Sequence, residues 1–578
     1  MGVLLQATFK RKGGLAVPCP HDGHTSIPWW WDHLARQASE LSRSGFTAVL
    51  LPPVLKTSAG AFPGADGYGP FDDYDIGSKD QFFSVPTRFG SREQLQRCAA
   101  ILRANGLDLY FDTVPHHRNG DPGNWEFKYL GANGVKDVGR FPKDKNCFFP
   151  NVPRDPIAGP IGDDFGFGRE LCPVNAKPAG YVMNGLIDAG DWLTRALDAQ
   201  GYRIDDTKGL AVEFVHRYLT SKAMAGKFAF GEYFDGNPQT LSWWVWNSGM
   251  EGRCATFDFS LRFMLAAMCN NNSRWDMTQL DHAGLAGISP TQAVTFIDNH
   301  DTDLSFPVIW NKMLGYAYIL TSEGYPCVYY KDYSTDQGCY GLKPLLDNLI
   351  WIHEHLAEGP TQQRWKDFQC FVYERLGGAH LLVGLNNDMY NGWRTVSVQT
   401  GFGANVHLHD YTGHAGDVWT DASGSVTIGV PPNDNGLGYV CYSRVGLDGP
   451  NLTAGYSTTQ VYEGAADLDI PPAENGKTVQ VCRIWCDAGK DVVAVLNPNI
   501  TGWTARTEIT LRLLDAAGAV VAAHTYKGAP PPPADLRVTV WHAGWHSAQI
   551  AASGLPAPSG QSAYHLSLTY TATQQLAA

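Results

Sequence analysis

At 578 residues the chain is too long for a single core, which stops growing near about 250–300 residues, so at least two domains are expected. The balance of 44% hydrophobic and 17% charged residues is that of an ordinary globular protein, and no run approaches the ~20 apolar residues of a membrane span. The net charge of -13 comes from scattered acids without a long basic run, which argues against a nucleic-acid partner, because phosphate binding needs clustered Lys and Arg.

The N-terminus, Met1 to Gln6, has neither the basic start nor the long apolar core of a signal peptide. The expectation is a cytoplasmic protein as written, or a secreted one from which a leader has been removed. The first 350 or so residues alternate short apolar runs with helical periodicity, the pattern of βα units around a parallel sheet. Candidate strands run Val3 to Phe9, Ala48 to Leu51, Leu107 to Thr113, Gly201 to Ile204, Lys227 to Gly231, Ala255 to Phe259, Ala293 to Ile297 and Cys327 to Tyr330. Eight is the number that closes a (β/α)8 TIM barrel.

Between these strands, Trp31 to Ser44 places Trp31, Leu34, Ala38 and Leu41 on one helical face and ends at Gly45. Its flank, Pro28-Trp29-Trp30, reads as a core anchor with a sugar platform as the alternative. Ser91 to Ala104 carries Leu95, Cys98, Ile101 and Leu102 on one face before stopping at Asn105-Gly106. A long Gly-, Pro- and Asp-rich stretch, 118–178, then interrupts the rhythm after the third strand, and loops of that length are functional excursions more often than connectors. The barrel is expected to span 1–117 and 179–365, with 118–178 as an inserted domain.

The remainder is β-patterned. Residues 366–445 read as one small β domain and 446–578 as an additional β-sandwich that includes a stiff loop from Gly528 through four prolines to Pro533. Trp503, Trp541 and Trp545 in that last segment suit either a carbohydrate-binding surface or sandwich packing. The aromatic content as a whole, 12% with 18 Trp, has the same two explanations, since rings stack on sugar faces and also fill large cores. The 12 cysteines lack paired Cys-x-x-Cys spacing, so most are expected to be buried thiols, with an oxidised pair left open.

In a (β/α)8 barrel, chemistry is done by side chains at the C-terminal strand ends. Four segments carry such residues: Asp112 to His117, Gly201 to Asp205, Phe230 to Tyr233 and Phe296 to Asp301. One strand-end carboxylate can merely cap the following helix, but four segments in barrel order are harder to dismiss. Strand alternation puts Arg203 and Asp205 on one face, where the guanidinium can keep the carboxylate ionised, as a nucleophile must be. Phe228, Phe230 and Glu232 likewise share a face, and apolar neighbours would raise the Glu232 pKa as a proton donor requires.

These segments, in this order and spacing, resemble the signature regions of the α-amylase family of glycoside hydrolases, over about the first 445 residues. Asp66 to Asp75 is similar to the family's Gly-Tyr-Gly-x-Tyr-Asp entry motif, with Phe71 in place of the second tyrosine. Gly324 to Asp332 looks like its closing strand, and Glu232-Tyr233-Phe234 most resembles the bacterial liquefying branch. The resemblance implies retaining endo-hydrolysis of α-1,4-glucosidic bonds in starch, glycogen-like glucans or maltooligosaccharides, by a monomer. It implies Asp205 as nucleophile, Glu232 as general acid/base, and Asp301 as stabiliser of the distorted sugar. Tyr68 would stack on the sugar beside the cleaved bond, His117 and His300 would hold hydroxyls, Arg203 would orient the nucleophile, and Lys208 would meet the leaving side.

Many members of the family hold a structural calcium between barrel and insert. Here His116 stands where an Asn is usual, Gly209 replaces a His, and alignment on Pro178 puts Cys172, Val174 and Ala176 where the liquefying branch has aspartates. Calcium prefers oxygen ligands, so no metal is expected at that site, and two candidate ligands make zinc a poor alternative. An unrelated calcium site among Asp163, Asp164 and other acids of the insert stays open. A transglycosylase or exo-acting enzyme of the same family is the rival reading, to be separated by whether Asp235 to Pro238 and Trp243 to Trp246 line the acceptor side. A non-catalytic glucan-binding protein is the remote alternative.

Overall fold

In the computed structural model, which describes residues 2–23, 26–131, 134–157, 167–446, 457–463, 470–528, 534–556 and 561–572, the eight short apolar runs become parallel strands. They are β1 (Val3–Gln6), β2 (Phe46–Leu51), β3 (Asp108–Thr113), β4 (Gly201–Ile204), β5 (Phe228–Gly231), β6 (Ala255–Phe257), β7 (Ala293–Phe296) and β8 (Tyr325–Tyr329). Each pairs with its neighbours in sequence, and β1 pairs with both β2 and β8, so the sheet closes into a barrel. Leu4, Leu50, Tyr110, Phe230, Phe257 and Phe296 fill its interior.

The first strand is shorter than its apolar run suggests. It ends at Gln6, and Phe9 turns outward to pack 5.9 Å from Trp30 and 6.0 Å from Tyr330. Trp30, the first residue of the helix α1 (Trp30–Arg43), is therefore a core anchor, and its indole N–H donates to the Ala7 carbonyl at 2.9 Å. The helix α2 (Arg92–Ala104) begins with a capping box: the Ser91 hydroxyl accepts from the Gln94 N–H while the Gln94 side chain accepts from the Ser91 N–H.

Ten of the thirteen residues of α2 are buried, including Gln96 and Arg97, because both of its sides are covered. One side meets the barrel. The other meets the last β region, where the Arg97 guanidinium lies 4.7 Å from the Trp485 ring and 5.2 Å from Trp545, and Gln460 donates to the Gln96 carbonyl. Trp545 is thus part of an internal junction, Trp503 is half-buried against the core, and Trp541 alone of the three stands out, 79% exposed. That region consists of two four-stranded antiparallel sheets and a strand pair, while 361–444 form a six-stranded sheet and a strand pair. The proline run lies outside the described residues apart from Gly528. All twelve cysteines are unpaired, eleven of them buried.

The insert between β3 and β4 is tied to the barrel through buried charge. Asp73 accepts from Arg118 and, at 2.6 Å, from Lys143, and the Arg118 guanidinium also donates to the carbonyls of Val114 and His117. Burial opposes ionisation of Asp73, but the two cations outweigh it and hold the carboxyl well below the usual range. Phe71 packs beside this cluster on Phe82 and Tyr129, a core position that explains an apolar residue there.

Candidate active site

Strand register brings the charged groups together. Asp112 on β3 lies opposite Arg203 on β4, which lies opposite Phe230 on β5, so all three side chains enter the barrel interior at one level. Two residues further along, Asp205 and Glu232 emerge on the same side at the C-terminal rim. Their backbones continue the ladder, with the Asp205 N–H donating to the Thr113 carbonyl and the Glu232 N–H to the Ile204 carbonyl, both at 2.9 Å.

The fully buried Arg203 guanidinium serves three carboxylates. Nη1 donates to Asp112 at 2.6 Å and to Asp205 at 2.9 Å, and Nη2 lies 2.7 Å from Glu232. One cation cannot compensate three buried anions. Burial pushes Asp112 up to about 6 and Asp205 and Glu232 each up to about 7, with Arg203 pulling down and the neighbouring carboxylates adding repulsion. One expectation is corrected here. Arg203 bonds Asp205 but does not by itself keep it fully ionised at neutral pH, because it is shared. Glu232 is raised as expected, chiefly by burial with Asp205 and Asp301 adding to it, although its carboxylate also meets Arg203 directly.

Asp301 closes the group from the other side. Burial would raise it, but His300 and Lys10 outweigh that and hold it well below the usual range. A cavity of about 430 Å³ is lined by Tyr68, His117, Asp205, Glu232, His300 and Asp301, together with Lys10, Asp66, Asp206 and Phe234. Tyr68 donates its hydroxyl to Asp112 at 2.7 Å and stacks on His300 with ring centres 4.7 Å apart, so one of its faces is already covered. His117 Nε2 bonds the Tyr68 carbonyl at 2.8 Å, and burial lowers its pKa to about 4.

Lys208 does not line this cavity. Its ammonium donates to the Phe234 carbonyl and to Asp235, both at 3.2 Å, and so braces the segment after Glu232. The Trp243 to Trp246 cluster lies on the helix Pro238–Asn247, with Trp244 buried and Trp246 bonded to Ser289, and none of it faces the cavity. The cavity also includes residues given no role from the sequence, Lys10, Asp66 and Asp206 among them. Asp206 was hidden by its neighbour Asp205, although adjacency to a strand-end acid was a usable signal. Asp66 was noted only as the start of the entry motif, and nothing local in Lys10-Arg11-Lys12 marks Lys10.

The residues at the calcium positions do not fit that ion. His116 offers an imidazole 3.6 Å from Asp206, and burial pushes the Cys172 thiol up to about 12, so it stays protonated. Val174 contributes its N–H, with that of Asn175, to the Asp155 carboxylate at 2.8 Å. Among the described residues no group of three or more His, Cys, Asp or Glu side chains is arranged to hold a metal. Asp163 and Asp164 lie outside the described residues.

Comparison with known proteins agrees with the barrel. A model of the α-amylase C-terminal region matches residues 381–443. The glucan 1,4-alpha-maltohexaosidase of Bacillus sp. (strain 707) is 27% identical over 476 residues, 72% of this chain and 88% of that protein. An alpha-amylase of Geobacillus stearothermophilus is 27% identical over 462 residues, 71% and 81%. In fold, the structure of a gamma-CGTase from alkalophilic Bacillus clarkii covers all of this chain, with 97% of its own length, at a TM-score of 0.56 and 16% identity. The protein is therefore a glycoside hydrolase built on a (β/α)8 barrel. More narrowly, the relatives it resembles over 71–72% of its length are members of the α-amylase family.

Proposed function

We propose that this chain hydrolyses α-1,4-glucosidic bonds within starch-like glucans and maltooligosaccharides by a retaining, endo-acting mechanism. The observation that carries this reading is the sharing of Arg203 by Asp205 and Glu232 at adjoining strand ends above one cavity. The names of the relatives, an alpha-amylase and a maltohexaosidase, support an α-1,4-glucan as substrate.

In the first step a carboxylate oxygen of Asp205 attacks the anomeric carbon while Glu232 gives its proton to the glycosidic oxygen, which leaves as a hydroxyl. A glycosyl ester on Asp205 results. Glu232, now a carboxylate, takes a proton from water, whose oxygen attacks the anomeric carbon and frees Asp205 with the α configuration retained. Negative charge thus passes from Asp205 to Glu232 and back, and both contact the same guanidinium, so Arg203 compensates it at each stage without moving. Asp301 and His300 would hold ring hydroxyls, and His117, kept neutral, would hold another. The reading includes no calcium at the family's usual position. Phe234, half-exposed at the cavity, favours the second reading, transfer to an acceptor sugar stacked on its ring.

The test is a product time course on soluble starch and a defined maltooligosaccharide, with and without chelator. Mixed oligosaccharides should appear early and be indifferent to chelator, and Asp205→Asn and Glu232→Gln should each lower the rate about a thousandfold or more. Full activity in either variant would sink the mechanism. Products longer than the starting oligosaccharide would replace hydrolysis by transfer.

A further inference from the structure

Lys10 leaves the barrel four residues beyond the end of β1 and lines the cavity. Its Nζ donates to Asp301 Oδ1 at 2.9 Å, lies 3.3 Å from Asp66 Oδ2, and sits 5.3 Å from the centre of the Tyr68 ring. The other oxygen of Asp301 is 3.1 Å from His300 Nε2. Each oxygen of this carboxylate therefore meets a different donor, one from β1's end and one from β7's, while 47% of the side chain stays open. An ammonium carries three protons, so after Asp301 and Asp66 one remains for a ligand in the cavity.

We propose that Lys10 is a positioning residue that fixes Asp301 for binding sugar hydroxyls and that its remaining proton is donated to a hydroxyl of the same glucan chain. The proposal rests on the reading of Asp301 given above. The ammonium matters because of what else faces Asp301: the carboxylates of Asp205 and Glu232 repel it, and Tyr68 stands beside it. Without Lys10, His300 alone of these contacts would offset that repulsion, and Asp301 would take up a proton at higher pH. A protonated Asp301 loses an acceptor oxygen and with it part of its hold on the sugar. Asp66 keeps the pair from adding net positive charge against a neutral substrate.

The test compares wild type, Lys10→Met, Lys10→Arg and Asp301→Asn for kcat and KM on a maltooligosaccharide across pH, with melting temperatures alongside. Lys10→Met should lower kcat/KM about 10- to 100-fold, the worth of a charge-assisted hydrogen bond, and move the acid limb of the pH profile to higher pH. Lys10→Arg should return that limb towards the wild-type position. A Lys10→Met enzyme with its acid limb in place overturns the proposal, whether its rate is unchanged or falls evenly at every pH in step with a lower melting temperature. If Asp301→Asn retains full activity, the reading of Asp301 falls and the role of Lys10 falls with it; if Asp301→Asn is inactive while Lys10→Met is unaffected, only the role of Lys10 falls.

Discussion

Two clusters of buried charge, one at the insert and one at the barrel rim, are built from the same parts with opposite balance. At the insert, one carboxylate, Asp73, sits between two cations, Arg118 and Lys143, and is held well below the usual range. At the rim, one cation, Arg203, sits among three carboxylates, and these are pushed up to about 6 or 7. Burial is nearly complete in both. What differs is the count of charges, and that count decides whether the cluster releases its protons for good or keeps one near neutral pH for use. The first arrangement is a tether and the second is chemistry.

The largest effect should come from removing the shared cation. Arg203→Met leaves Asp112, Asp205 and Glu232 without a counter-ion, so kcat/KM should fall more than about a thousandfold and stability by about 3–5 kcal/mol at pH 8. At pH 5 protons can take the place of the guanidinium, and the stability loss should shrink. The sign follows from linkage: a carboxyl whose folded pKa is raised contributes fully below its unfolded value near 4 and loses that contribution as pH rises through its folded value, here about 7. Thermal melts at the two pH values check this, and an equal loss at both would mean that the carboxylates are not what Arg203 compensates.

Asp73→Asn reverses the sign. The folded pKa of Asp73 is depressed, so its contribution is complete above about pH 4 and fades as pH falls towards the lower folded value. The variant should be about 3 kcal/mol less stable at pH 7, with Arg118 and Lys143 left unpaired, and the gap to wild type should close on acidification. Activity should suffer only as far as the insert loosens. If the loss were the same at pH 3 and pH 7, the tether would owe its strength to packing instead of charge.

Most of this contrast lies outside what a linear sequence displays. The eight strands were legible because each is a short apolar run at regular spacing, and Asp205 and Glu232 because a parallel barrel puts its chemistry at strand ends. The partners were harder. Arg203 and Asp205 are two residues apart and could be paired by alternation, but Asp112 is 91 residues from Arg203 and meets it only through the register of β3 on β4. Lys10 reaches Asp301 across 291 residues, through the closure of β1 beside β8, and nothing local distinguishes it from a solvated lysine. The same limit hid the outer side of α2: Leu95, Cys98, Ile101 and Leu102 marked the face towards the barrel, whereas Gln96 and Arg97 are buried by residues from the far end of the chain.

That outer side provides the smallest test, and a third kind of buried cation. The Arg97 guanidinium lies against the rings of Trp485 and Trp545 and 3.4 Å from Asp32, so most of its partners are aromatic, and desolvation brings its pKa down to about 10. A cation–π contact of this kind is worth about 0.5–2 kcal/mol, well below an unpaired buried ion. Trp545→Ala should therefore cost about 2–3 kcal/mol once lost packing is added, with no dependence on pH between 5 and 8, because Arg97 stays charged throughout. The loss should appear as weaker docking of the last β region on α2, read by limited proteolysis, while kcat on soluble glucan stays within about twofold. A large drop in kcat would mean that this junction, on the outside of the barrel, bears on the rim; a proteolysis pattern like that of wild type would mean that Gln460 and Trp485 hold the region without it.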